Sequence, residues 1–404
     1  MSDRRSRPAD TALVAALAER MAIVLPPERG PYPLHAPDLG GDEARAVAAC
    51  VETGWVSTAG DHTRRFEAML ADATGAAHVV ATASGTAALH AGLAAAGIGP
   101  GDEVLVPALS FVATANAVVH AGAVPHFVEV EEASLGVDVA KLAQWLDAET
   151  VRRRGVRRNR RTGRPVRAMV VMHCLGHPVD LDAAATLARD AGLVLVEDAA
   201  EALGSTYRGG HVGHHGLFAT LSFNGNKVIT TGGGGAVLTG DAGLARRVRH
   251  LASTARIPAG FDLAHDEVAW NYRLPGLNAA LGVAQLARLA DLLAAKRRLA
   301  GAYAAAFATC YAGRHVAGPA WGAGNRWLEA FVLAPRFAGA RNGLLAALGA
   351  MGWECRPLWT PLHRLPMYRD APRMPAPVAE DLWTRTLCLP SGPALARACE
   401  APHA

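Results

Sequence analysis

Leu221-Ser222-Phe223-Asn224-Gly225-Asn226-Lys227-Val228-Ile229-Thr230-Thr231-Gly232-Gly233-Gly234-Gly235 sets a lysine between an apolar run and four consecutive glycines. That is a poor setting for a solvated charge. The chain has 40 basic residues, of which only three are lysines: Lys141, Lys227 and Lys296. Where a positive charge is enough, arginine is used. Arginine stays protonated at any working pH, whereas a lysine amine can lose its proton and attack a carbonyl. Lys141 and Lys296 lie in helical patterns and read as polar helix faces. Lys227 reads either as a structural lysine paired with a carboxylate or as an amine kept for Schiff-base chemistry. The scarcity of lysine favours the second reading.

Outward from this stretch, short β-branched runs alternate with helical patterns. Strands are expected at 78–82, 103–106, 124–128, 167–172, 193–197, 218–222 and 235–239. Helices are expected at 61–73, 85–97, 111–121, 138–148 and 182–191. Nearly continuous apolar strands separated by helices imply an α/β fold, a mainly parallel central sheet with helices on both faces. Ligands of such sheets bind beyond the carboxyl ends of the strands. After residue 241 the texture changes. Long helices at 241–256 and 276–312, a strand at 329–334, a helix at 339–350 and a proline-rich tail suggest a smaller C-terminal α+β domain. The expected division is an N-terminal arm (1–45), a large domain (46–255) and a small domain (256–404).

The 404 residues allow an ample core. No apolar run reaches the ~18 residues of a membrane span. Residues 1–10 are polar, and an amphipathic helix follows them rather than a signal sequence, so a cytoplasmic protein is expected. The six cysteines (Cys50, Cys174, Cys310, Cys355, Cys388, Cys399) show no metal-type pairing and read as free buried thiols; no metal is expected. Residues 152–167 hold nine arginines and no acid, and removing these from a net charge of +4 leaves −5. Without interleaved aromatics the run reads as a solvated insertion, and no nucleic-acid partner is expected.

Three further pieces lie just after strands, as Lys227 does. Asp198, in Leu195-Val196-Glu197-Asp198-Ala199-Ala200, can keep a pyridine nitrogen protonated, or it can cap a helix. In Ser84-Gly85-Thr86-Ala87 a strand end runs into a helix start. Gly85 allows close approach there and the first amides can hold a phosphate, to which Ser222 offers a hydroxyl. Phe111, after 103–106, can stack on a flat ring or fill the core. A pyridine bearing an aldehyde and a phosphate arm satisfies all four pieces. That cofactor is pyridoxal 5′-phosphate.

From about Pro33 to Pro393 the chain resembles the DegT/DnrJ/EryC1/StrS sugar-nucleotide aminotransferases. The carriers are Gly54-Trp55-Val56-Ser57-Thr58-Ala59-Gly60, Phe66-Glu67, Ser84 to His90, Gly101-Asp102-Glu103-Val104, Gly176-His177-Pro178-Val179-Asp180, Glu197 to Glu201, Ser222 to Lys227, Asn271-Tyr272-Arg273 and Pro361-Leu362-His363. The resemblance implies the aspartate-aminotransferase fold (fold type I), with Lys227 as Schiff-base lysine and proton carrier. It pairs Asp198 with the pyridine nitrogen and stacks Phe111 on the ring. It gives Ser84, Gly85, Thr86 and Ser222 to the phosphate, and Asn271 to the cofactor phosphate of the other subunit of a homodimer. Glu201 stands near the ring hydroxyl or the lysine, and His363 lines the substrate pocket. The implied substrates are L-glutamate and a keto-sugar nucleotide. The run from Ser222 to Gly235, with Gly176-His177-Pro178 and the Asn159/Thr162-Gly163-Arg164 loop, is similar to enzymes acting on UDP-linked 2-acetamido-4-keto-6-deoxyhexoses. C3 amination of a dTDP- or GDP-linked sugar is the alternative. A dehydratase is disfavoured by Lys227, which such relatives replace with histidine. A non-catalytic regulator or scaffold is disfavoured by the intact Lys227 and Asp198.

Overall fold

The computed structural model describes residues 10–397. The polar first nine residues and Cys399 lie outside the described residues. The other five cysteines are buried and unpaired.

Seven strands form the central sheet: β1 (His78–Thr82), β2 (Glu103–Pro107), β3 (Val124–Val128), β4 (Val166–Met172), β5 (Val194–Asp198), β6 (Phe218–Ser222) and β7 (Gly235–Thr239). Their spatial order is β1-β7-β6-β5-β4-β2-β3, with every pair parallel except those made by β7. The strands are the seven expected ones, each shifted by one residue at most. They are buried on both faces, which is why they read as unbroken apolar runs rather than alternating ones.

Helices α1 (Thr11–Val24), α2 (Glu43–Glu52), α3 (Asp61–Thr74), α4 (Gly85–Ala95), α5 (Val112–His120), α6 (Val139–Glu149), α7 (Leu181–Ala191) and α8 (Ala242–Ala252) precede, cover or follow the sheet strands. The long helix expected at 276–312 is instead two, α9 (Gly276–Ala287) and α10 (Leu289–Phe307), bent by 60°. The break falls at Arg288, whose guanidinium donates to the Asp38 carboxylate and the Glu43 carboxylate, both at 2.9 Å. No single helix among the described residues is long and apolar enough to cross a membrane. Beyond α10 come a four-stranded antiparallel sheet (313–315, 329–333, 386–389, 356–357) and two further helices, α11 (Arg341–Ala350) and α12 (Pro377–Arg385).

Two buried clusters hold the molecule together. One fills both faces of the central sheet, and the other joins α1, α10 and α11 to the small sheet. Lys296 of α10 corrects the reading of it as a polar helix face. It is 1% exposed, and its Nζ donates to the carbonyls of Ser391 (2.6 Å) and Trp327 (3.2 Å) beside His35 Nε2 (3.1 Å). Lys141 keeps its expected place, with Nζ 3.1 Å from Asp138 on a half-exposed side chain.

The arginine run is not a bare loop. Thr150–Arg153 and Val156–Asn159 pair as an antiparallel hairpin. Arg152 and Arg157 donate to the carbonyls of Asp190 and Ala191 at the C-terminus of α7, at 2.9 and 3.2 Å. Cations there complement the partial negative charge of the helix end. The hairpin is anchored by Asn159, whose Nδ2 donates to buried Glu103 at 2.9 Å.

Candidate active site

The carboxyl ends of β1, β2, β5 and β6 open onto one cavity of about 330 Å³. That volume suits a small organic ligand. Ser84, Gly85, Thr86, Phe111, Asp198, Glu201, Ser222 and Lys227 all line it. Eight residues from four stretches of sequence therefore meet because the parallel strands of the sheet end on one rim.

At one end is the start of α4. Ser84 Oγ caps it by accepting the Ala87 amide at 3.1 Å. The amides of Gly85 and Thr86 take no acceptor among the described residues, so they remain free for an anion. Gly85 is required by the fit, since a Cβ there would stand 2.9 Å from Ser222 Cβ. The cap also shows that Ser84 acts on this end of the cavity through the helix backbone.

Asp198 closes β5. No helix starts there; Asp198 Oδ1 accepts the Ala200 amide at 3.1 Å and Oδ2 accepts the Thr114 hydroxyl at 2.7 Å. A buried carboxylate held this way keeps lone pairs for a ligand cation. Phe111 is not a core residue. It is 50% exposed, with its ring edge-on to Trp359 at 6.4 Å between centroids.

Lys227 Nζ lies 3.4 Å from Glu201 Oε1 and 3.7 Å from the centroid of the Trp327 ring. Burial pushes the Glu201 carboxyl up to about 7, against the pull of Lys227 and of the Leu175 amide. The amine thus has a carboxylate neighbour, as the structural reading of Lys227 required, and it also faces the cavity, as the chemical reading required.

Two of the expected residues lie elsewhere. Asn271 is exposed and pairs with Ser253 in an isolated bridge, outside the cavity. Beside it, the hairpin of Arg256–Ala259 and Asp262–His265 exposes Phe261 and Leu263. His363 does not line the cavity; its Nε2 lies 2.7 Å from Glu380 Oε1. Its neighbour Leu362 is nearer the sheet rim, donating its amide to the Ala108 carbonyl at 2.8 Å. Three contributors were not read from the sequence: Thr114, Trp327 and Trp359. The position of Trp359, two residues before Pro361-Leu362-His363, was the available signal. Thr114 gives none, because its role depends on a contact across 84 residues.

A phosphate end of free amides and a hydroxyl, a buried carboxylate and an amine around one small cavity fit pyridoxal 5′-phosphate, and amino-group transfer is the chemistry such a site can perform. Residues 37–400 match the model of the DegT/DnrJ/EryC1/StrS aminotransferase family, and the chain belongs to it. It is a sugar aminotransferase that uses pyridoxal phosphate. It is 36% identical to the GDP-perosamine synthase of Caulobacter vibrioides over 90% of this chain and 94% of that protein. It is 32% identical to the dTDP-4-dehydro-2,3,6-trideoxy-D-glucose 4-aminotransferase of Saccharopolyspora spinosa, over 90% and 92%. Among solved structures, the aminotransferase TlmJ of Streptoalloteichus hindustanus superposes with a TM-score of 0.81 at 29% identity, covering 91% of this chain and 96% of that one.

Proposed function

We propose that the protein moves an amino group from L-glutamate to C4 of a nucleotide-linked 4-keto-6-deoxy sugar. The observation that carries this reading is the meeting of Lys227, Asp198 and the free amides of α4 around one cavity. Pyridoxal phosphate, when bound, supplies the carbonyl that takes the amine and the ring that withdraws electrons. In this reading Asp198, steadied by Thr114, holds the proton on the pyridine nitrogen. The amides of Gly85 and Thr86, with the Ser222 hydroxyl, hold the phosphate. The freed Lys227 amine carries the proton to and from the substrate carbon. Phe111 is proposed to stack on the ring, and with Trp359 it walls the mouth of the cavity.

The nucleotide is part of the proposal. The resemblance of the run from Ser222 to Gly235, with Gly176-His177-Pro178 and the loop at 159–164, to enzymes acting on UDP-linked sugars supports UDP. The similarity to a GDP-perosamine synthase supports GDP, and the Saccharopolyspora relative supports position 4. A homodimer is proposed as well. The exposed hairpin around Phe261 and the exposure of Asn271 suit a second copy whose cofactor phosphate Asn271 reaches. His363 is proposed at the sugar side of the site completed by that copy.

The test is the visible spectrum of the purified protein with pyridoxal phosphate. L-glutamate should bleach the band, and one member of a GDP-, UDP- and dTDP-linked 4-keto-6-deoxy sugar panel should restore it. A band that glutamate leaves unchanged would refute the donor. Failure of the whole panel would refute the acceptor.

A further inference from the structure

Lys227 is held from two sides. One wall is the Glu201 carboxylate, 3.4 Å from Nζ, and the other is the Trp327 ring face, 3.7 Å away. Both walls are fixed from behind by one residue. Asn325 Nδ2 donates to the Glu201 carbonyl at 2.8 Å, and Asn325 Oδ1 accepts the Trp327 amide at 2.9 Å. The other Glu201 oxygen accepts the Leu175 amide at 2.9 Å, from a residue at φ 55°. The Trp327 indole N–H donates to the Asn226 carbonyl at 2.6 Å, next to Lys227 itself. Lys296 holds the Trp327 carbonyl from below.

We propose that Glu201 and the face of Trp327 form a berth for the Lys227 ammonium while Lys227 is detached from the cofactor. The proposal rests on reading Lys227 as the lysine that bonds the cofactor. In amino-group transfer that lysine is free from its displacement by the donor amine until it bonds the cofactor again. A long, flexible ammonium in so largely buried a place is costly to leave unpaired, and holding it in one position costs entropy. A carboxylate and a ring face together satisfy it, and the cation–π contact strengthens with desolvation. Glu201 and Trp327 are positioning residues here, acting through Lys227. The titratable groups around the amine are Glu201, Asp198 and His35, with Cys174 and Cys388 behind Glu201 and Lys296 behind His35.

Because the chain has only three lysines, [13C]-lysine labelling of the full-length protein gives three ε-carbon resonances, and Lys227→Met assigns the one in question. In cofactor-free protein the Lys227 ε-protons should be displaced upfield of those of Lys141 by the indole ring. Trp327→Leu should abolish that displacement. A step in the Lys227 signal near pH 7, following Glu201, should vanish in Glu201→Gln, which keeps an acceptor for the Leu175 amide. Pyridoxal phosphate should move the signal away, and pyridoxamine phosphate should leave it at the upfield position. A Lys227 signal coincident with that of Lys141 in the wild type, which needs no variant, overturns the berth. So does a signal unmoved by both substitutions, or one that pyridoxamine phosphate displaces. If pyridoxal phosphate leaves the signal in place, the covalent reading of Lys227 falls, and the berth with it.

Discussion

Single atoms decide the chemistry of this site. Lys227→Ala should remove the visible band and lower turnover by at least ~10²-fold, because in the proposed function the amine is both the attachment point and the proton carrier. Thr114→Val removes the hydroxyl that holds Asp198 Oδ2 without changing side-chain volume much. A hydrogen bond to a charged group is worth ~1.5–3 kcal/mol. The variant should therefore bind pyridoxal phosphate at least ~10-fold more weakly, read by absorbance titration. Lys227 and Asp198 were legible in the sequence because their types are unusual for their places. Thr114 and Trp327 were not, since a threonine in an apolar helix and a tryptophan near a strand have ordinary structural uses. Only the fold shows that one touches Asp198 and the other Lys227.

Elements bring those atoms to one rim, and their fixings carry a pH signature. Glu197, one residue before Asp198 in β5, is fully buried. Burial pushes its carboxyl up, but His173 and the amides of Gly216 and His215 reverse this and bring it down to about 2. A carboxyl depressed from 4.5 in the folded state adds stability that is present above pH 4.5 and lost as pH falls towards 2. Glu197→Gln should flatten that acid slope, by up to about 3 kcal/mol in urea unfolding. Glu201 has the opposite sign. Its folded value of about 7 lies above 4.5, so it lowers stability as pH rises from 4.5 to 7, and Glu201→Gln should remove that fall. The seven strands were legible because burial on both faces makes each an apolar run bounded by turn residues. The break at Arg288 was not. The apolar pattern continues through it, and the cause is an ion pair with Asp38 and Glu43, some 250 residues away.

At the scale of the whole molecule, the two buried clusters meet near Lys296, which ties the N-terminal segment at His35 to the carbonyls of Trp327 and Ser391. Lys296→Met leaves those carbonyls buried without a donor. It should lower the unfolding midpoint by an amount equivalent to ~2–4 kcal/mol, measured by urea titration. The placement of Lys296 was misread from sequence because helical periodicity assigns faces, and the covering layer comes from chain 95 residues further on. The arginine hairpin has its own long-range consequence. Its tip, Arg153-Arg154-Gly155, is exposed. Strand β2 comes before this tip and lies between β3 and β4, while β1 pairs with β7 from after it. The backbone can therefore be opened at residue 154 without separating the sheet, which makes the tip a split point. Residues 1–154 and 155–404 produced as two polypeptides should reassemble into one catalytically competent protein.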